Sequence, residues 1–236
     1  MIVSAIVLNV RDHRENDRII TCYTRQLGKI EILVRSAKKI TSKLAPFSSG
    51  LYSLINLVIE PGKNYYHLIG GEIKKYFNNI NNDYEKNIRV GQILNIFNKI
   101  TKPAKPDDRL FDLTVKTLEK IDTLPKIKVE IFIYAFLIKF LSLLGYKPEI
   151  KKCLICQKIP SAKVNFDINR GGIICLKCST SVDKSEINIQ MTDKVLNLLQ
   201  NLLYKNFDFL EKLNFKSTDF IIVKNVIDKF LEWHLK

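Results

Sequence analysis

The chain has 236 residues, 46% hydrophobic and 10% aromatic, enough to bury a real core and to exclude global disorder. Thirty-eight lysines and arginines against 24 acids leave a net charge of +14. That excess favours polyanionic partners such as nucleic acid or an anionic membrane surface, although a proteome rich in Lys, Asn and Ile produces it too. Residues 1–10 carry no basic segment and no small-residue cleavage site, so they read as a strand and not as an export signal. The most apolar run, 131–146, is broken by Lys139 and Ser142 and is too short to span a bilayer comfortably, so a cytoplasmic protein is expected.

Five strands are expected in the first 75 or so residues: 2–10, 18–24, 29–34, 51–60 and 65–73. Gln26-Leu27-Gly28 and Pro61-Gly62-Lys63-Asn64 are turn signals between them. Five short strands in that length predict a small closed or nearly closed barrel, with an SH3-like barrel as the main alternative because periodicity does not set strand order. Cys22 lies within this apolar alternation and reads as a small buried residue.

Residues 78–83 are polar and turn-prone, and a domain boundary is placed there. Beyond it the apolar period changes from two to 3.6. Ile88, Ile93, Ile96, Phe97 and Ile100 form one expected helix face. Asp107 and Asp108 sit at the start of the next helix, where carboxylates cap free amides. The helix after Pro125 is hydrophobic nearly all round and belongs in the centre of a bundle. Two later helices are expected, one capped by Thr192 and one by Ser217 or Thr218.

The sharpest motif is Cys153-x-x-Cys156, eighteen intervening residues, then Cys175-x-x-Cys178. Each two-residue gap lets a tight turn aim two thiolates at one ion, and two such turns complete a tetrahedral shell with no open position. A closed set of this kind predicts one structural Zn2+ rather than a catalytic metal, a redox pair or inert thiols. The odd cysteine count of five argues against a disulfide framework. Gly171-Gly172 fits a hairpin turn between the pairs. The surrounding segment is basic, with seven cations between Lys147 and Lys177 against Glu149 and Asp167.

The chain resembles the RecO family of bacterial recombination and repair proteins in three stretches. They are His13-Arg14-Glu15-Asn16-Asp17-Arg18-Ile19-Ile20 leading into Tyr23-Thr24-Arg25-Gln26-Leu27-Gly28-Lys29, then Arg35-Ser36-Ala37-Lys38-Lys39 followed by Pro46-Phe47, and the cysteine module with Phe166-Asp167 and Gly171-Gly172. The resemblance implies an α+β, multi-domain chain. An N-terminal five-stranded OB-fold β-barrel over 1–77 precedes an α-helical domain over 84–236, which carries a four-cysteine zinc finger inserted at 151–180. It implies binding to single- and double-stranded DNA, annealing of complementary strands and loading of RecA. The implied partners are RecR and the acidic C-terminal tail of single-stranded DNA-binding protein, with no membrane and with nucleoid association during repair.

The residues support this job independently. Five of the eight arginines fall in the first 35 residues, and arginine binds phosphate bidentately and stacks on bases. Lys38, Lys39 and Lys43 beside Arg35 lie in a stretch without acids between Glu31 and Glu60, which predicts a cationic loop on phosphate. The expected DNA contacts are Arg11, Arg14, Arg25, Lys29, Arg35, Lys38, Lys39, Lys43 and Tyr23. Tyr65, Tyr66 and His67 are further stacking groups, while Arg18 is read as structural. The tail dock is expected among Lys116, Lys120, Lys126, Lys128 and Lys139. No enzyme is expected, because Asp107-Asp108 is the one adjacent acidic pair and no P-loop, HxH or HExxH appears. An RNA-binding zinc protein and a pure protein adaptor are the competing readings.

Overall fold

The computed structural model describes residues 1–49, 51–160, 163–180 and 188–234. Residues 161 and 162 of the expected finger lie outside the described residues. The chain divides into two compact units, Met1–Val129 and Glu130–Lys236.

The first unit begins with β1 (Ile2–His13), β2 (Asp17–Thr24), β3 (Gly28–Val34), the short α1 (Pro46–Ser49), β4 (Ser53–Glu60) and β5 (Tyr66–Tyr76). The five strands close a barrel in the order β1-β2-β3-β5-β4, with β1 also paired to β4. All neighbours are antiparallel except β3 and β5, which run parallel through Ile32 opposite Tyr66. That order and its parallel closure are those of an OB-fold, which decides against the SH3-like alternative. Val3, Ala5, Val7, Ile20, Cys22, Ile30, Ile32, Ile55 and Leu57 fill the interior, so alternation puts their neighbours outside. Register shifts at Val7/Asn9 in β1 and opposite Val58/Ile59, where β5 carries the extra residue Ile69, bend the strands toward closure. Gly28 takes φ +68° at the β2–β3 turn, and a side chain there would strike the backbone of Lys105 at 2.5 Å.

The polar stretch after the barrel is a helix, α2 (Asn78–Asn82), and not an open turn. Ile80 is buried and its amide donates to Asp122 Oδ1 at 3.0 Å, so tertiary contacts order a sequence of low helix propensity. Next come α3 (Tyr84–Ile100), capped by Asp83, and α4 (Asp108–Thr123), capped by Asp107 as expected. The buried face of α3 is turned from the expected one. It consists of Lys86, Val90, Ile93, Leu94 and Phe97, while Ile88 is exposed. Lys86 is tolerated inside because its Nζ donates to the Asp122 carbonyl at the end of α4, where the helix dipole favours a cation.

The helix α5 (Lys126–Leu143) runs into the second unit. There Phe132, Phe136 and Phe140 are wholly buried, in keeping with its apolar circumference. A three-stranded sheet of order β7-β6-β8 follows, from β6 (Val164–Asp167), β7 (Gly172–Cys175) and β8 (Asn188–Met191), with the one-turn α6 (Leu176–Ser179) after β7. Gly171, at φ +69°, makes the β6–β7 hairpin. Strand β8 is not among the expected elements. It is four residues long and pairs antiparallel with β6. Then α7 (Asp193–Tyr204), capped by Thr192, α8 (Phe207–Lys212), capped by Asn206, and α9 (Ser217–His234) complete the unit. Helix α9 starts at Ser217 itself, with Phe220 N donating to Lys216 O, one residue before the expected caps. Among the described residues no helix is long and apolar enough to cross a membrane.

Candidate functional site

Two sites stand out, one in each unit. In the second, backbone turns build a cluster of thiols. Cys153 N donates to Lys158 O at 2.9 Å and Gln157 N to Cys153 O at 3.0 Å, a tight turn in which Gln157 adopts φ +59°. Leu154 N donates to Ile173 O, tying this turn to β7, whose last residue is Cys175. One turn of α6 brings Cys178 back beside it. The four sulfurs of Cys153, Cys156, Cys175 and Cys178 all lie within 4.8 Å of one another, and Cys156 and Cys175 are 3.9 Å apart. A tetrahedral shell with metal–sulfur bonds near 2.3 Å requires about 3.8 Å between sulfurs, so the donor set fits a metal ion.

The electrostatics agree. Burial pushes the Cys153 thiol up, but amides of Cys175, Cys156 and Ile155 pointing at its sulfur outweigh that and bring it down to about 6. Cys178 is pushed up to about 12, first by its thiol hydrogen bond with Cys175. Without a cation, negative charge settles on one sulfur at the expense of its neighbours. A divalent ion removes that conflict and lets all four act as thiolates. Cys22, by contrast, is wholly buried in the barrel and its thiol is pushed up by burial alone.

The second site is a groove of about 650 Å3 on the outer β1–β2–β3 face of the barrel. Its floor includes Asn9, Arg11, Thr21, Lys29 and Glu31, and the β4–β5 turn Pro61–Tyr65 forms one wall. Pro103 and Ala104, between α3 and α4, form the other. Arg11 is half-exposed, pairs with Glu31 at 3.2 Å and lies over the Tyr65 ring at 5.9 Å. His13 meets the same ring edge-on. The pairing with Tyr65 and Glu31 holds the Arg11 guanidinium charged. Lys29 Nζ donates to Asn98 O, and burial lowers its ammonium from the ordinary range. Lys63 and Tyr65 complete the exposed lining, so three cations and one tyrosine face one carboxylate, while Tyr66 borders the groove but packs against the barrel core.

The remaining expected contacts fall elsewhere. Arg14, at φ +53° in the β1–β2 turn, is exposed, as are Arg35, Lys39 and Lys43 in the loop after β3. Lys38 pairs with Asp12 at 2.9 Å, and its amide donates to Asn16 O, so this loop lies against the β1–β2 turn. Arg18 bonds Asp12 and Ser48 O, a structural role. Three expected contact residues are engaged within the protein itself. Tyr23 is fully buried, its ring edge-on to Phe97 at 4.9 Å and its hydroxyl accepting from Asp107 N at 3.1 Å. It points outward from the barrel, but the α3–α4 segment covers it, so it offers no face to a base. Arg25 is paired with Asp108 and Asp112 and lies over Phe111 at 4.6 Å, which spends its charge inside the unit. Lys139 likewise leaves the surface. Its Nζ donates to Leu203 O and Lys205 O at 2.8 Å, closing the end of α7, and burial brings it down to about 8. Lys63 and the Pro103–Ala104 wall are not among the expected site residues, although the Pro61-Gly62-Lys63-Asn64 turn signal marks where the first projects.

Comparison with known proteins covers nearly the whole chain. Residues 1–77 match the family described as Recombination protein O N terminal, and residues 81–236 match Recombination protein O C terminal. A protein of Caldanaerobacter subterraneus named DNA repair protein RecO is 27% identical over 232 residues, 98% of this chain and 92% of the relative. Proteins of the same name from Thermodesulfovibrio yellowstonii and Listeria innocua are 29% and 28% identical, covering 98% and 96% of this chain and 90% and 86% of their own lengths.

Proposed function

The chain belongs to the RecO family of DNA repair proteins, and from that premise we propose that it is a recombination mediator that binds single- and double-stranded DNA and anneals complementary strands. The observation that carries this reading is the groove on the strand 2–3 face of the barrel, beside the β4–β5 turn. OB-folds take oligonucleotides on that face. Arg11 and Lys63 offer charge for phosphate, and Tyr65 supplies a ring on which a base stacks without sequence preference. Arg14, Arg35, Lys39 and Lys43 add a second cationic surface at the β1–β2 end, which serves the partner strand or a duplex.

Annealing needs no bond chemistry. Neutralising two strands on adjacent cationic surfaces removes their repulsion and raises their local concentration, and base pairing completes the step. No catalytic group is assigned. In the cysteine cluster the ion is zinc, held by Cys153, Cys156, Cys175 and Cys178 in a structural role. The same reading includes loading of RecA with RecR and docking of the tail of single-stranded DNA-binding protein. Lys116 and Lys126 remain candidates for that dock, although Lys126 also pairs with Asp83 at 3.2 Å.

The test is annealing of two labelled complementary oligonucleotides without ATP or magnesium, over a salt series, with strands bare and strands coated by single-stranded DNA-binding protein. Acceleration in both cases is expected. If six cations (Arg11, Arg14, Arg35, Lys39, Lys43 and Lys63) each neutralise one phosphate, the log–log salt slope on single strands is about −4. No acceleration, with binding to the protein tail intact, replaces this reading with a pure adaptor. A preference for structured RNA replaces it with an RNA-binding protein.

A further inference from the structure

The loop after β3 presents one side chain that packing does not explain. Ile40 has a relative exposure of 103%, the highest of the large apolar residues exposed in the described chain. A single exposed apolar residue is ordinary on a protein surface. This one differs in how it is held. Ser42 N donates to Lys39 O at 3.0 Å, so Ile40 is the first corner of a hydrogen-bonded turn, a position that favours Pro. The turn stands on a built base. Ala37 is buried with the barrel core, and Leu44 and Phe47 pack against it. Ser36 N donates to Asp17 Oδ1 at 2.8 Å, Lys38 N to Asn16 O and Leu44 N to Ser42 Oγ. The loop therefore projects the isoleucine instead of folding it inward.

The charged side chains of the loop itself are all cations. Lys39 and Lys43 flank the turn, Arg35 begins the loop and Lys38 sits between them. The acids that meet this loop, Asp12 on Lys38 and Asp17 on Ser36 N, lie at its base. An apolar tip ringed by cations is the arrangement by which proteins open a base step, with the side chain entering the stack while the cations hold the flanking phosphates.

We propose that Ile40 is a wedge that unstacks bases in DNA gripped by Lys39, Lys43 and Arg35. The proposal rests on the DNA-binding reading above and deepens it by giving the loop an action distinct from that of the groove. The groove holds a base on the Tyr65 ring, whereas the loop parts bases that are already stacked. Unstacking costs least at a strand break, a mismatch or a duplex end, so those are where the wedge acts.

The experiment uses the full chain and a duplex carrying 2-aminopurine beside a strand break, with binding followed separately by anisotropy. The wild type is expected to raise the fluorescence of the probe base on binding. Ile40→Ser loses that rise, while Ile40→Leu keeps it. Neither change is expected to move the melting temperature, because the side chain is fully exposed, and neither moves the salt slope, because no cation is removed. Lys39→Glu with Lys43→Glu lowers the slope by about 2. Binding by the wild type without a fluorescence rise, or an equal rise in Ile40→Ser, overturns the wedge and leaves the DNA reading standing. Absence of binding overturns both. Binding to phosphatidylserine vesicles that Ile40→Ser abolishes, with no fluorescence rise on DNA, makes the tip a membrane contact and also overturns the wedge.

Discussion

The cysteine module and the cationic face of the barrel are both marked by residue type, yet they come through folding differently. All four cysteines converge within 4.8 Å. The nine expected DNA contacts separate into a groove, a loop and a buried or paired remainder. Arg11 and Lys29 line the groove, Arg14, Arg35, Lys38, Lys39 and Lys43 share one end of the barrel, and Tyr23 and Arg25 are taken into the packing of α3 and α4. The difference lies in range. A Cys-x-x-Cys turn sets the distance between its own sulfurs through three residues of backbone, and the hairpin at Gly171 brings two such turns together. A cation on a strand has no such local constraint. Its partner is whichever acid the tertiary fold brings near, and for Arg25 those acids lie 83 and 87 residues away.

Metal removal is the strongest way to break this contrast. Structural zinc supplies roughly 10–16 kcal/mol in small fingers near neutral pH, so chelation or Cys153→Ser should unfold the module and lower the melting temperature. Cys22→Ser should leave metal content at one ion per chain. Equal metal content in Cys153→Ser, measured by elemental analysis, would sink the assignment. Affinity for the ion should also fall as pH drops, because protons compete for the sulfurs.

A second test sets two tyrosines of the same unit against each other. Tyr23→Ala should cost about 3–5 kcal/mol of stability, the usual range for a large buried ring, and leave the salt slope of DNA binding unchanged. Tyr65→Ala should barely move the melting temperature but weaken single-strand binding by about 1–3 kcal/mol, roughly 5- to 150-fold. Titration of labelled oligonucleotide alongside a thermal melt separates the two. Interchanged effects would mean that the covered side of the barrel, and not the groove, meets DNA.

The smallest effect expected is at Asp107. Its carboxylate accepts from Arg109 N at 2.9 Å and pairs with the Arg109 side chain, which first among several causes holds it below the ordinary aspartate range. Asp107→Ala should cost about 1 kcal/mol at neutral pH. The sign follows from the depressed value. The stabilisation is complete above the ordinary carboxylate range and is lost as pH falls through the lower folded-state value, so variant and wild type should converge in acid. Denaturant melts at neutral and acid pH check this.

Several features are legible in the residues because short-range physics governs them. The five strands, the turn at Gly28, the caps at Asp107 and Thr192 and the cysteine cluster each depend on a few neighbouring side chains or on a φ that glycine adopts freely. Other features stay open until the chain closes on itself. Closure makes β3 and β5 parallel neighbours and so turns a strand count into an OB-fold. Packing of α3 places Lys86 inside and Ile88 outside, against the plain hydrophobic order, because a carbonyl at the end of α4 accepts the ammonium. Folding also buries Tyr23, matches Arg25 to two aspartates and leaves Ile40 standing clear. Hydrophobic periodicity says that a side chain faces one way or the other. What covers that face is settled only by elements tens of residues away, through contacts that no local pattern encodes.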